Sequence, residues 1–191
     1  MTSGTSGLVV SGLSKEYAAK RVVDDVSFRC RRGSVTGFIG PNGSGKSTTL
    51  RMIVGHTRAS RGSALFEGVP LPEISRPGRT VGVLLDASAH HPGRSVFETA
   101  FLAALLVGVG RARVRECLAA VGVDNVRHKR VGSLSLGMRQ RMGIAIAVLG
   151  APDFLILDEP ANGLDPEGIH WLRQFLRSFA ASGGCALVSS H

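Results

Sequence analysis

Gly40-Pro41-Asn42-Gly43-Ser44-Gly45-Lys46-Ser47 is the stretch that decides the fold of this 191-residue chain. Three glycines, then a lysine and a hydroxyl residue, lie between an apolar run, Val35 to Ile39, and a helical pattern, Thr48 to Val54. That strand–loop–helix context is what a phosphate-binding loop requires. The glycines let successive backbone N–H groups turn inward around phosphate oxygens, and the start of the following helix adds positive potential. Lys46 is long enough to reach terminal phosphates, Ser47 can ligate Mg2+, and Thr48 continues the cradle. A glycine-rich turn with an exposed lysine is the bland alternative, and both flanks tell against it.

Working outward, further Val-, Ile- and Leu-rich runs read as strands: Leu8 to Leu13, Val22 to Val26, Ala64 to Phe66, Val81 to Leu85, Phe154 to Leu157 and Ala186 to Ser189. They alternate with helical patterns, the signature of an α/β protein with a mostly parallel sheet. From about Asp86 to Gly150 the strand signals stop, and Val96 to Val107, Val114 to Val121 and Leu136 to Leu149 read as helices inserted into that scheme. Ile169, Leu172, Phe175, Leu176 and Phe179 recur at helical spacing, as expected of a helix packed on the sheet. Met1 to Gly7 reads as a flexible tail, and 8–191 as one domain, with about 8–85 and 150–191 as core and about 86–149 as a helical subdomain.

Phe154-Leu-Ile-Leu157-Asp158-Glu159 ends an apolar run in two carboxylates, which a buried strand would deliver at its C-terminal edge, where open α/β sheets bind ligands. Alone, an Asp-Glu pair is usually a solvated turn. Paired with the loop at Gly40, it assigns Asp158 to Mg2+ through its water shell and Glu159 to polarising an attacking water.

Composition excludes other classes. Hydrophobic residues make up 43% of the chain and charged residues 19%, which allows a sizeable core and speaks against disorder. The net charge of +9 comes from scattered arginines, so a nucleic-acid surface is not indicated. Cys30, Cys117 and Cys185 show no spacing for zinc or a disulfide framework, which fits a reducing compartment. No apolar stretch reaches the roughly 20 residues that span a bilayer; Ala100 to Val109 falls well short and is followed by Arg111, Arg113 and Arg115.

Leu134-Ser135-Leu136-Gly137-Met138-Arg139-Gln140-Arg141 resembles the signature motif of the ABC (ATP-binding cassette) ATPases, Ala161-Asn-Gly163-Leu164-Asp165 their D-loop, and Ser189-Ser190-His191 the strand end with the switch histidine. The resemblance runs from Tyr17 to His191. It implies a P-loop NTPase (RecA-like) core, a small antiparallel β part near the N-terminus and an inserted helical subdomain. It implies an ATP- and Mg2+-dependent ATPase working as a head-to-tail dimer or paired domain. There Ser135 and Gly137 would contact the γ-phosphate of the partner's ATP, His191 would sense that phosphate, and Tyr17 would stack on adenine. Read without the resemblance, Ser135 is an ordinary helix cap, and His191 a surface residue. A membrane permease is the implied partner, contacted by the first helix after Asp86, which places the chain in the cytoplasm, peripheral on the inner face of the cell membrane.

Three departures stand out. Leu136 and Met138 replace the usual Gly and Gln, a variant resembling the drug- and antibiotic-exporting subgroup, and so pointing to export and antibiotic resistance. Asp86 stands where the family usually has the Gln of its Q-loop, and its shorter, charged side chain puts metal contact there in question. The sequence stops at His191, whereas family members continue, so impaired turnover is the expectation for this length of chain. Two other readings compete with the transporter. A soluble ATPase of this family acting on nucleic acid or ribosomes has only the basic charge in its favour, with neither a second loop nor sustained heptads. A non-catalytic nucleotide-gated module would bind ATP without turnover. No Asn-Lys-x-Asp pattern follows Lys46, which tells against GTP.

Overall fold

The structure is a computed structural model that describes residues 7–18 and 20–191. In chain order its main elements are β1 (Leu8–Tyr17), β2 (Lys20–Cys30), β3 (Ser34–Ile39), α1 (Lys46–Ile53), β4 (Arg61–Phe66), α2 (Pro77–Thr80), β5 (Val81–Leu84), α3 (Val96–Val107), α4 (Arg111–Ala120), α5 (Leu136–Ala147), β6 (Phe154–Leu157), α6 (Pro166–Ala181) and β7 (Cys185–Ser190). Two sheets form: an antiparallel one in the order β2-β1-β4, and a parallel one in the order β3-β7-β6-β5.

The parallel sheet is the partition of the molecule. All four residues of β6 are buried, as expected of a strand covered on both faces. Because successive side chains leave a strand on opposite sides, Leu155, Leu157 and Ala186 join the cluster formed with α3, α4, α5 and α6, while Phe154, Ile156, Cys185 and Leu187 join the cluster formed with β1, β2, β4 and α1. The inserted helices thus share one continuous core with one face of the sheet. Among the described residues no strand lies between Leu84 and Phe154.

Local chemistry fixes the ends of the helices that carry the site. Ser95 and Glu98 form a reciprocal capping box at the start of α3, and Gly108 closes its end at φ 74. Ser135 caps α5 by accepting from the Met138 N–H at 3.2 Å. Asp165 caps α6, accepting from the Gly168 N–H at 2.7 Å with Pro166 at the first helical position.

The boundaries depart from the pattern-based ones in places. β1 runs on to Tyr17 and β2 spans Lys20–Cys30, well past Val22–Val26, because the hairpin ladder pairs polar as well as apolar positions. β5 ends at Leu84, and α5 at Ala147. Met1 to Thr5 and Ser6 lie outside the described residues, but Gly7, read as the last residue of a tail, is buried and accepts from the Glu67 N–H at 3.0 Å. The three cysteines are buried and free, and among the described residues no helix is long and apolar enough to cross a membrane.

Candidate nucleotide site

β3 ends at Ile39, the chain turns through Gly40 to Gly45, and α1 begins at Lys46. The turn depends on glycine at position 45. Its φ is 91°, and a Cβ there would lie 2.7 Å from the Val22 carbonyl oxygen and 3.0 Å from Val23 Cγ2, so β2 packs directly against the loop. Lys46 is 7% exposed. Its ammonium donates to the carbonyl oxygens of Gly40 at 2.6 Å and Pro41 at 3.2 Å and lies 3.4 Å from Glu159 Oε1, partners that offset the cost of burying a charge. Asn42, Gly43, Gly45, Lys46, Ser47 and Thr48 line a cavity of about 260 Å3, closed by Val22 and Glu159. Gly43, at φ 80, has open space where a Cβ would stand.

Asp158 and Glu159 leave the C-terminal end of β6, where the backbone turns sharply. Glu159 has φ 46, a left-handed conformation that costs a non-glycine residue about 1–3 kcal/mol unless its surroundings impose it. Here they do. The Glu159 N–H donates to Ser189 Oγ at 2.8 Å, and its carbonyl accepts from the Asn162 N–H at 3.1 Å and from Gln140 Nε2 at 3.4 Å. Ser189 Oγ in turn donates to Asp158 Oδ1. The Glu159 carboxylate spans two partners: Oε1 faces Lys46, and Oε2 lies 2.9 Å from His191 Nδ1.

Asp86 opens the loop after β5. Its Oδ1 accepts from both the N–H (2.7 Å) and the hydroxyl (2.6 Å) of Ser88, which holds the carboxyl below the usual carboxylate range. A second cavity, of about 270 Å3, puts Asp86 opposite Asp158, Glu159 and the orphaned, buried Gln140 Oε1.

The structure therefore gathers Gly40 to Thr48, Asp158, Glu159 and His191 at one edge of the parallel sheet, with Asp86 in the adjoining cavity. Ser135 and Gly137 do not line the loop cavity. Ser135 caps α5, and Gly137 packs with the segment before α6, where a Cβ on it would lie 2.8 Å from the Gly163 carbonyl oxygen. Tyr17 stands at the hairpin end, 49% exposed, with Lys15 Nζ 4.7 Å from its ring centre; the next strand, β2, supplies Val22 to the loop cavity. Ser189 and Gln140, which lie within the quoted motifs without a role of their own there, both hydrogen-bond to the Glu159 backbone. The sequence signal they offer is a hydroxyl in an apolar strand and an amide on the buried side of a helix.

Comparison with known proteins decides the family. The model of the family described as ABC transporter matches residues 23–162. The chain belongs to the ABC transporter family. It is 36% identical to the lantibiotic transport ATP-binding protein SrtF of Streptococcus pyogenes over 96% of this chain and 80% of that one. With the bacitracin transport ATP-binding protein BcrA of Bacillus licheniformis it shares 35% identity, over 94% of this chain but only 60% of the relative. A solved structure, titled as the ATP binding subunit of an ABC transporter, superposes with a TM-score of 0.85 at 31% identity, covering 97% of this chain and 80% of that one. This ABC cassette is accordingly an ATP-binding, ATP-hydrolysing domain with the P-loop core and small antiparallel sheet that its motifs imply.

Proposed function

We propose that this cassette powers export through a separate membrane permease, with Glu159 as the residue that orients the attacking water. The observation that carries the catalytic half is the position of Glu159, held at the mouth of the phosphate loop between Lys46 and His191.

In this reading the N–H groups of the loop and the Lys46 ammonium surround the β- and γ-phosphates and neutralise charge that builds up as the terminal phosphoryl group departs. Glu159 accepts a hydrogen bond from a water in line with the γ-phosphate, and His191 both contacts that phosphate and keeps the Glu159 carboxylate turned toward it. Tyr17 offers a flat face for adenine. The donor set fits Mg2+: the Ser47 hydroxyl and the Asp158 carboxylate are hard oxygen ligands, and Asp158 keeps one oxygen free of Ser189. Asp86, which shares the neighbouring cavity with Asp158, would be a further carboxylate for the metal. Mg2+ held by these oxygens would supply positive charge that draws electron density from the phosphates. Ser135 and Gly137 complete the site of a second copy, which explains why they stand apart from this chain's own loop.

Export and the permease rest on SrtF and BcrA, whose names record transport of a lantibiotic and of bacitracin, and on the surface of α3. That helix presents Leu105 and Leu106, the latter 91% exposed, a pair of apolar side chains that an isolated cassette has no reason to leave in water. Docking there puts the protein on the cytoplasmic face of the membrane. Glu159→Gln tests the catalytic half. The exchange keeps size and shape but weakens the acceptor for water, and is expected to slow ATP hydrolysis by about 10²- to 10⁴-fold while ATP still binds. Hydrolysis at the wild-type rate would remove Glu159 from its role. The transport half is checked by gentle solubilisation of native membranes, in which a multi-span protein should co-purify in fixed stoichiometry.

A further inference from the structure

The Glu159 backbone is held by two segments far away in sequence and by the turn that follows it. Its N–H is held by Ser189 on β7, and its carbonyl by Gln140 on α5 and by the N–H of Asn162 in the turn before α6. We propose that Ser189 and Gln140 are positioning residues for hydrolysis: Ser189 fixes both carboxylates at the end of β6, and Gln140 ties the orientation of Glu159 to the position of the signature helix. The inference rests on the reading of Asp158 as metal-holding and Glu159 as water-orienting.

Ser189 is 1% exposed and its hydroxyl works in both directions, accepting from the Glu159 N–H and donating to Asp158. A hydroxyl has one proton, so giving it to Asp158 fixes which lone pairs remain for the Glu159 N–H. The two carboxylates are thereby coupled through one oxygen. Without that oxygen, Asp158 loses a fixed donor and can rotate about its side-chain torsions, and the left-handed Glu159 loses the bond that holds its N–H. Position 189 is two residues before His191, so the same strand end sets the catalytic turn from the backbone side and touches its carboxylate from the other.

Gln140 supplies the longer link. It is 5% exposed on α5, whose first turn carries Ser135 and Gly137. Its amide nitrogen reaches Glu159, and its Oε1 is buried without a partner. A buried amide satisfied on one side only is costly. Any shift of α5 that accompanies engagement of its N-terminus by a second copy pulls on, or releases, the Glu159 carbonyl.

The test uses Ser189→Ala, Ser189→Thr and Gln140→Met in the full chain, with Asp158→Asn as the control. Three quantities are read: the melting temperature without nucleotide, the Mg2+ concentration at half-maximal binding of a fluorescent ATP analogue, and the rate of ATP hydrolysis. Ser189→Ala is expected to raise the Mg2+ midpoint about tenfold and to lower hydrolysis by about 10- to 100-fold, and Ser189→Thr, which keeps the hydroxyl, should restore both to within about threefold. Gln140→Met, which touches Glu159 but not Asp158, should lower hydrolysis and leave the Mg2+ midpoint unchanged. A purely structural role for Ser189 would lower the melting temperature and move neither the midpoint nor its rescue by Thr, and that result overturns the proposal. If Asp158→Asn itself leaves the Mg2+ midpoint unmoved, the metal reading of the site is what fails. If Asp158→Asn moves it and Ser189→Ala does not, only the positioning role of Ser189 falls.

Discussion

Gly137 lies in the first turn of α5 and leaves no room for a side chain, so two effects of adding a methyl group oppose each other there. In an open helix, Gly to Ala stabilises by up to about 1 kcal/mol. Here the new Cβ would stand 2.8 Å from the Gly163 carbonyl oxygen and 3.3 Å from Leu164 Cδ2, and backbone cannot step aside cheaply. Crowding of this kind costs about 1–3 kcal/mol, so the clash wins, and Gly137→Ala should lower the melting temperature by roughly 2–4 °C per kcal/mol lost. A variant that melts higher would show that the segment at Gly163 moves freely. The same contact shows what a sequence can and cannot reveal about a site. Lys46, Asp158 and Glu159 were legible because their roles follow from residue type and from position beside a strand or helix. Ser189 and Gln140 were not, since each acts through a hydrogen bond to a residue 30 or 19 positions away, and neither residue type carries that information.

Among the elements, α3 matches its sequence pattern from end to end, Val96 to Val107, because both boundaries are written locally: a capping box at one end, a left-handed glycine at the other. The ends of β1 and β2 were less legible, since a ladder between polar, exposed positions leaves no hydrophobic alternation to read. The capping box also makes a pH prediction. Glu98 accepts from the N–H and hydroxyl of Ser95, which, with Arg94 nearby, holds its carboxyl below the usual glutamate range. A carboxylate with a folded value below its unfolded one stabilises above the unfolded value, and that contribution is lost as pH falls through the folded one. Glu98→Gln should therefore melt below the wild type near neutral pH. The gap between the two should close as pH is lowered from about 5 to about 3. A gap that stays constant over that range would mean that the charged form of Glu98 contributes nothing to the cap.

At the scale of the whole molecule, the loop cavity contains Lys46 but lacks Ser135 and Gly137, which this chain holds elsewhere, at the start of α5. A head-to-tail pair resolves the separation, because each site then takes its loop from one copy and its signature segment from the other. This arrangement predicts complementation. Lys46→Ala disables the loop and leaves the signature segment sound; Ser135→Glu leaves the loop sound and places a carboxylate where a phosphate must come, which charge repulsion disfavours. Each variant alone has two broken sites per pair and should not hydrolyse ATP. Mixed together, a hybrid pair joins the intact loop of the Ser135→Glu chain to the intact signature segment of the Lys46→Ala chain. One of its two sites is then whole. With random pairing about half of all pairs are hybrids, so the mixture should recover a measurable fraction of the wild-type rate, rising as either variant is titrated toward equal amounts. If each chain closed over its own nucleotide, no mixing ratio could restore activity, and an inactive mixture of two variants that each keep the wild-type melting temperature would reject the shared site.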